Sequence, residues 1–282
     1  MSLSSGRLWV VATPLGNPGD LSLRARETLS AVDGVLAEDT RRAGLLLSRC
    51  GVSAAAFTSF HEHNEEARLP QALAWLKEGK QLALVSDAGT PLLSDPGYRL
   101  VRACREAGIR VSPLPGPSAP AAALSASGLP PYPFVFLGFP PRKQSEREAF
   151  FLPYARLSAT VVFFERKDRL SATLETLFRL FGPREACIAR ELTKTHEEFI
   201  LFELEAHKDL PEELLGELTV LVGPPRGDTR TADDELDRII EQEAAKGGKP
   251  RDVARRAQAR ASGWSGKEVY RRLQERGLGE GP

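Results

Sequence analysis

Cysteine is scarce: Cys50, Cys104 and Cys187 are the three present, far apart and without a Cys-x-x-Cys pair. That argues against a disulfide framework and a thiolate zinc site, and leaves three small buried apolar side chains as the reading. Histidine is nearly as rare, with four in the chain. His61 and His63 alternate and would share one side of a strand, but neither His196 nor His207 supplies a third ligand at a recognisable spacing, so no metal is expected. No apolar run approaches the length that crosses a bilayer, and no basic segment followed by an apolar core and a cleavage site opens the chain, which points to a cytoplasmic protein. A Gly-x-Gly-x-x-Gly turn between a strand and a helix is missing too. The alternating Gly277, Gly279 and Gly281 sit in the terminal tail, where no βαβ unit can follow, and there is no P-loop, so a nicotinamide or nucleoside triphosphate enzyme is disfavoured. Internal repeats and low-complexity stretches are absent as well.

Net charge is also lacking, with 38 Lys and Arg against 38 Asp and Glu, which argues against a globally basic nucleic-acid binder. The distribution is uneven. Residues 231–245 hold six acids against Arg238 alone, whereas residues 246–276 hold ten Lys or Arg against Asp252, Glu268 and Glu275. Arg251, Arg255, Arg256 and Arg260 recur at helical spacing, and Lys267, Arg271 and Arg272 repeat the pattern after Gly263-Trp264-Ser265-Gly266. Such a stripe is either a solvated helix face or a phosphate-facing one.

What is present in quantity is glycine and proline at the ends of apolar runs. Thr13-Pro14-Leu15-Gly16-Asn17-Pro18-Gly19-Asp20 follows Leu8-Trp9-Val10-Val11, Ser86-Asp87-Ala88-Gly89-Thr90-Pro91 follows Leu82-Ala83-Leu84-Val85, and Pro115-Gly116-Pro117-Ser118-Ala119 follows Ile109-Arg110-Val111. Open α/β sheets build ligand crevices from such turns at the carboxyl ends of their strands. Strand-like runs at residues 8–12 and 35–37 alternate with helical patterns over 23–31, 42–50 and 64–78, which implies a mainly parallel sheet covered on both faces. Gly128-Leu129-Pro130-Pro131-Tyr132-Pro133 breaks the alternation. Strands are then expected over 134–139, 160–165, 186–190, 198–204 and 219–222, and the direct succession of 186–190 and 198–204 suggests a mixed second sheet. At 282 residues and 41% hydrophobic content the chain can fill two cores with a remainder. The predicted domains are residues 1–118, 119–230 and a helical extension over 231–282, the second boundary falling at Pro224-Pro225-Arg226-Gly227-Asp228.

The order and wording of these segments resemble the tetrapyrrole methylase superfamily, and within it the branch that methylates a ribose in bacterial 16S rRNA. The matching stretches are residues 13–17, Ala37-Glu38-Asp39-Thr40-Arg41, His61-Glu62-His63-Asn64-Glu65, residues 85–91 with Ser94-Asp95-Pro96-Gly97, residues 115–118, and Ala189-Arg190-Glu191-Leu192-Thr193-Lys194-Thr195. The resemblance implies a two-domain class III methyltransferase fold, S-adenosylmethionine as cofactor, and 2′-O-methylation of a decoding-centre cytidine, cytidine 1402. It also implies a homodimer, and 16S rRNA within the small ribosomal subunit as partner. By that similarity Pro14 and Gly16, then Ser86, Asp87, Ala88 and Gly89, then Ser118 and Ala119 surround the cofactor from the first domain, and Glu165 and Arg190 close the cleft from the second.

A ribose hydroxyl is a poor nucleophile until it loses its proton, so a carboxylate or a neutral lysine near the methyl is expected. The candidates are Glu38, Asp39, Glu191 and Lys194. Arg41 and Arg42 would hold phosphate bidentately, and Arg251, Arg255, Arg256, Arg271 and Arg272 would carry further RNA contact. A plainer reading makes Glu38-Asp39-Thr40-Arg41 a helix start capped by Asp39 or Thr40. Two other functions remain open on these residues: a tetrapyrrole methyltransferase sharing the cofactor turns, or a non-catalytic RNA-binding protein using the tail.

Overall fold

The apolar run after the N-terminus becomes β1 (Arg7–Val11), and its side chains divide strictly by parity. Leu8 and Val10 pack on one face of a sheet and Trp9 and Val11 on the other, as do Leu82 and Leu84 against Ala83 and Val85 in the central strand. Both faces are therefore apolar, the condition for a parallel sheet buried on two sides. In this computed structural model, which describes residues 6–54, 56–211, 214–226, 231–261 and 263–278, the chain continues through α1 (Leu23–Ala31), β2 (Gly34–Ala37), α2 (Thr40–Arg49), β3 (Phe57–Ser59), α3 (Glu65–Lys77), β4 (Gln81–Val85), α4 (Tyr98–Glu106) and β5 (Arg110–Leu114). The strands pair in the order β3-β2-β4-β1-β5, all parallel. α1 and α2 cover one face and α3 and α4 the other.

α5 (Ala119–Ala126) leads into the second sheet, formed by β6 (Phe134–Phe136), β7 (Thr160–Arg166), β8 (Glu185–Arg190), β9 (Glu198–Glu203) and β10 (Glu217–Val222), with α6 (Gln144–Phe151) and α7 (Leu170–Phe181) between. The order is β6-β7-β10-β8-β9, with β6 and β7 parallel and the other pairs antiparallel. One face carries Phe151, Phe163, Leu174, Leu177 and Ile188 under α6 and α7. The other packs Val162, Cys187, Ala189 and Leu221 on Ala123 and Leu124 of α5, with Leu15 of the first turn alongside. That second contact is what brings the strand ends of the two sheets together. All three cysteines are free and buried, and burial pushes the Cys104 and Cys187 thiols up to about 11.

Residues 225–282 form a separate compact unit. α8 (Asp233–Ala244), α9 (Pro250–Gln258) and α10 (Gly266–Glu275) enclose Leu236, Ile240, Val253, Ala257, Trp264 and Leu273. Ser265 and Glu268 cap α10 reciprocally. The acidic segment (residues 231–245) and the basic segment (residues 246–276) are partners in this unit. Glu243 is 1% exposed and binds Lys246, Arg256 and Arg260 at 2.6, 3.1 and 2.7 Å, while Asp237 binds Arg272 and Arg276 at 2.8 and 2.6 Å. Among the described residues no helix is long and apolar enough to cross a membrane. Gly227 and Asp228 of the predicted boundary, and Gly279 and Gly281 of the tail, lie outside the described residues.

Candidate active site

The three turns are tied into one assembly by their own backbones. The Thr13 N–H donates to the Gly89 carbonyl at 2.8 Å, the Gly89 N–H returns to the Thr13 carbonyl at 3.0 Å, and the Thr13 hydroxyl reaches the Ser86 carbonyl at 3.2 Å. Thr90 then donates its hydroxyl to the Pro117 carbonyl at 2.9 Å, joining the second turn to the third. Gly89 sits at φ 79°, a left-handed conformation that glycine adopts without penalty. In front of these turns lies a cavity of about 810 Å³, walled on the other side by the ends of β7 and β10. Phe139 and Phe164, with ring centroids 5.2 Å apart, give that wall an aromatic face.

Of the expected cofactor residues, Asp87, Ala88, Gly89, Ser118, Ala119 and Glu165 line the cavity, and Pro14, Gly16, Ser86 and Arg190 do not. Ser86 lies buried beneath the second turn, its hydroxyl donating to the Ala88 carbonyl at 3.2 Å. Arg190 ends β8 beside Glu198 at 3.4 Å. Glu165 is 3% exposed and committed to its own side: Thr173, Arg169 and the Arg166 N–H contact its oxygens at 2.6, 2.5 and 2.8 Å. Asp87 differs, since Oδ2 meets Arg42 at 3.0 Å while Oδ1 is buried without a hydrogen-bond partner among the described residues.

The expected catalytic residues stand at the margin of the cavity, and none of the four lines it. Asp39 caps α2, accepting from the Arg41 and Arg42 N–H groups at 2.9 and 3.2 Å, and these bonds hold its carboxyl below the usual range. The plainer helix-start reading is thus the geometry seen at Asp39. Glu38 ends β2 with its carboxyl raised by desolvation and then by Asp87. Glu191, at φ 51°, accepts from the Glu217 N–H at 2.9 Å and from Lys194 Nζ at 3.0 Å, and its carboxyl is lowered by those bonds in that order. Lys194 also meets Glu217 at 3.1 Å. Burial opposes its charge, but the bonds to Glu191 and Glu217 outweigh burial and lift it above the usual lysine range. A neutral lysine is therefore not what this geometry makes; Lys194 is a held cation.

That cation has a structural consequence. The Lys194 stem crosses Gly16, with Cε and Cδ 3.1 and 3.2 Å from where a Cβ would stand. Beside it the Asn17 N–H donates to the Thr193 hydroxyl at 3.1 Å. The loop after β8 is so clamped onto the turn after β1. Of the arginines, Arg42 lines the cavity and Arg41 does not. In the C-terminal unit Arg256 and Arg272 are drawn to Glu243 and Asp237, Arg255 and Arg271 pair with Asp252 and Glu275 at the surface, and Arg251 is exposed. Among the cavity residues that sequence reasoning left off its site are Asp95, Phe164, Arg166, Lys167, Asp168 and Glu217; only Asp95 carried a sequence signal. Its signal was the polar segment Ser94-Asp95-Pro96-Gly97 that shares in the family likeness. His61 and His63 lie edge to face with centroids 6.0 Å apart, and among the described residues no three His, Cys, Asp or Glu converge in a metal-holding arrangement.

The sequence pattern that defines the Tetrapyrrole (Corrin/Porphyrin) Methylases matches residues 7–207. The chain belongs to that family. It is 44% identical over 272 residues to the ribosomal RNA small subunit methyltransferase I of Mesorhizobium japonicum, covering 95% of this chain and 91% of the relative. It is 50% identical over 195 residues to the protein of the same name from Escherichia coli O157:H7, covering 69% and 68%. Among solved structures, the fold is similar to that of uroporphyrin-III C-methyl transferase from Thermus thermophilus complexed with S-adenyl homocysteine, with a TM-score of 0.56 at 20% identity, covering 77% of this chain and 97% of that one. This tetrapyrrole methylase is therefore a methyltransferase by family, with the cavity between its two sheets as the candidate active site.

Proposed function

We propose that this methyltransferase uses S-adenosylmethionine to methylate small-subunit ribosomal RNA, at the ribose 2′-hydroxyl of a decoding-centre cytidine. The observation that carries the RNA reading is the reach of the likeness. The tetrapyrrole methylase pattern ends at residue 207, whereas the likeness to the Mesorhizobium japonicum enzyme takes in 95% of the chain and so includes C-terminal helices.

The residues of the cavity fit the cofactor. Ala88, Gly89 and Ala119 leave backbone groups open to close approach, Phe164 offers an apolar face for a base, and Asp87 Oδ1, without a hydrogen-bond partner among the described residues, is an acceptor awaiting a donor. The bound cofactor supplies a methyl group on a sulfonium, already a good leaving group. The protein's own task is to align the acceptor hydroxyl and receive its proton. Arg42 on one wall and Arg166 and Lys167 on the other are cations suited to the phosphates flanking the target nucleotide. Arg251, exposed, and Arg255, exposed and paired with Asp252 at the surface, are the tail arginines suited to add phosphate contact.

Purified protein incubated with labelled S-adenosylmethionine and small ribosomal subunits is expected to place the label on a ribose oxygen of 16S rRNA, read by nucleoside mass spectrometry. Label entering a porphyrinoid instead, or no nucleic acid at all, refutes the reading. We extend the proposal to a homodimer, against which a monomer in sedimentation at micromolar concentration would count directly.

A further inference from the structure

Five carboxylates line the cavity: Asp87, Asp95, Glu165, Asp168 and Glu217. Four are held by cations. Asp87 lies 3.0 Å from Arg42, Glu165 2.5 Å from Arg169, Asp168 3.3 Å from Arg166, and Glu217 3.1 Å from Lys194. Asp95 has no cationic partner among the described residues; the groups that act on it are the carboxylates of Glu38 and Asp87 and the hydroxyl of Ser86. The loop that presents it is held in an unusual conformation, with Leu92 at φ 74°, Ser94 at φ 71° and Gly97 at φ 120°. Two non-glycine residues in the left-handed region persist only where surrounding structure holds them, and such residues cluster at functional sites. What this loop holds in place is, of the five carboxylates lining the cavity, the one without a cationic partner among the described residues.

We propose that Asp95 is the proton acceptor of the methyl transfer, receiving the hydrogen of the acceptor hydroxyl; the inference rests on the reading of this chain as a ribose methyltransferase. The hydroxyl hydrogen passes as a proton to an Oδ of Asp95, the oxygen's electron pair forms the new bond to the methyl carbon, and the broken carbon–sulfur bond leaves its pair on sulfur. Charge balances, since the sulfonium loses its charge as the carboxylate loses its own. Asp39 and Glu191 are poorer choices, because the hydrogen bonds they accept lower their carboxyls and make them weak bases.

Burial, together with Glu38 and Asp87 and against the hydrogen bond of Ser86, pushes the Asp95 carboxyl up to about 7. A base tuned near the working pH combines a useful ionised fraction with real affinity for the proton. The charged groups around it are Glu38 and Asp87, then Arg42, His61 and Glu62 acting on Glu38, and across the cavity Glu165, Arg166, Lys167, Asp168 and Glu217. Of these, Glu38 is the strongest influence after burial itself.

Three measurements test the assignment. In the free wild-type protein, carboxyl carbon-13 NMR should show one aspartate titrating near pH 7, absent in Asp95→Asn and moved to lower pH in Glu38→Gln. The single-turnover rate of methyl transfer should rise with pH through the same midpoint. Asp95→Asn should slow it by about 100-fold or more, the scale of a lost general base, with S-adenosylmethionine affinity by calorimetry within about threefold of wild type. If wild type methylates a ribose but Asp95→Asn turns over within about threefold of it, or if no aspartate titrates near 7, Asp95 is not the base. If wild type leaves ribose oxygens unmethylated while the NMR titration stands, the functional reading has failed instead.

Discussion

The contact between Lys194 and Gly16 allows a quantitative test of how the two sheets are held together. Alanine at position 16 would place its Cβ on the Lys194 Cγ and within 3.1 and 3.2 Å of Cε and Cδ, so the stem must swing away. Lys194 then leaves Glu191, a pair whose side chains are 28% and 20% exposed, and Glu217, which is 76% exposed. A half-buried pair of this kind contributes about 1 kcal/mol and an exposed one about 0.3 kcal/mol. Leaving Glu191 half-buried with only the Glu217 N–H adds a desolvation penalty, for a total of roughly 1.5–2 kcal/mol. Gly16 has no left-handed φ, so alanine is conformationally permitted and regains about 0.5 kcal/mol by restricting the unfolded chain. Gly16→Ala should therefore destabilise residues 1–224 by about 1–1.5 kcal/mol in urea unfolding. In a Lys194→Ala background the overlap is gone, and the same change should be neutral or stabilising by about 0.5 kcal/mol. The coupling in the double-mutant cycle is then roughly 1–2 kcal/mol. Equal costs in the two backgrounds, with coupling under about 0.3 kcal/mol, would refute the clamp.

Gly89→Val places a branched side chain at φ 79° with its Cβ 3.1 Å from Leu15, and should weaken S-adenosylmethionine binding in calorimetry by about tenfold or more, whereas a chelator should leave binding unchanged. Asp95→Asn should alter stability with a defined sign: a carboxyl raised to about 7 in the folded chain, from an ordinary value near 3.8, lends stability that is complete below that ordinary value and gone above the folded one. Relative to wild type, the Asn variant should gain stability between roughly pH 4 and 7, by up to about 4 kcal/mol less solvent screening, and a gain that does not change with pH in chemical denaturation would contradict this. Glu243→Gln leaves Lys246, Arg256 and Arg260 converging on a neutral group and should lower the melting temperature of the C-terminal helices. In wild type that network, with its carboxyl lowered to about 2 by Lys246 and Arg260, should survive at pH 4 and fail only as the pH falls toward 2. Reversing Arg251 and Arg255 to Glu should weaken RNA binding and flatten its salt dependence by about one unit of slope per lost contact; an unchanged slope would mark these arginines as solvated surface.

The fold was legible in the chain wherever burial imposed a period. β1, β2 and β4 read as strands because both faces of each are apolar, and the helices between them read by their own spacing. β3 escaped because it is a three-residue edge strand of intermediate burial, too short and too little buried to leave a pattern. The site was legible to the same degree. Glycine and proline mark backbone turns, and a turn is a local property, so the turns that carry Asp87, Ala88, Gly89, Ser118 and Ala119 could be placed from their neighbours, while the assignment of those residues to a cofactor came from the family resemblance.

Charge chemistry is not local. Asp39 follows β2 directly, where the sequence already offered a helix cap, whereas Asp95 lies ten residues beyond the end of β4 in a polar segment whose neighbours do not reveal its surroundings. What separates them is that Asp39 meets the first N–H groups of α2, whereas Asp95 faces Glu38 and Asp87, contributed by β2 and by the turn after β4. The same holds in the tail, where Glu243 meets Arg256 and Arg260 across 13 and 17 residues of chain. A stripe of arginine at helical spacing tells that one face is charged; only the packing of α8 against α9 tells that part of that charge is already answered. The proposed proton chemistry of this cavity follows the same logic: of the five carboxylates that line it, four lie beside a cation, and Asp95 lies beside none among the described residues.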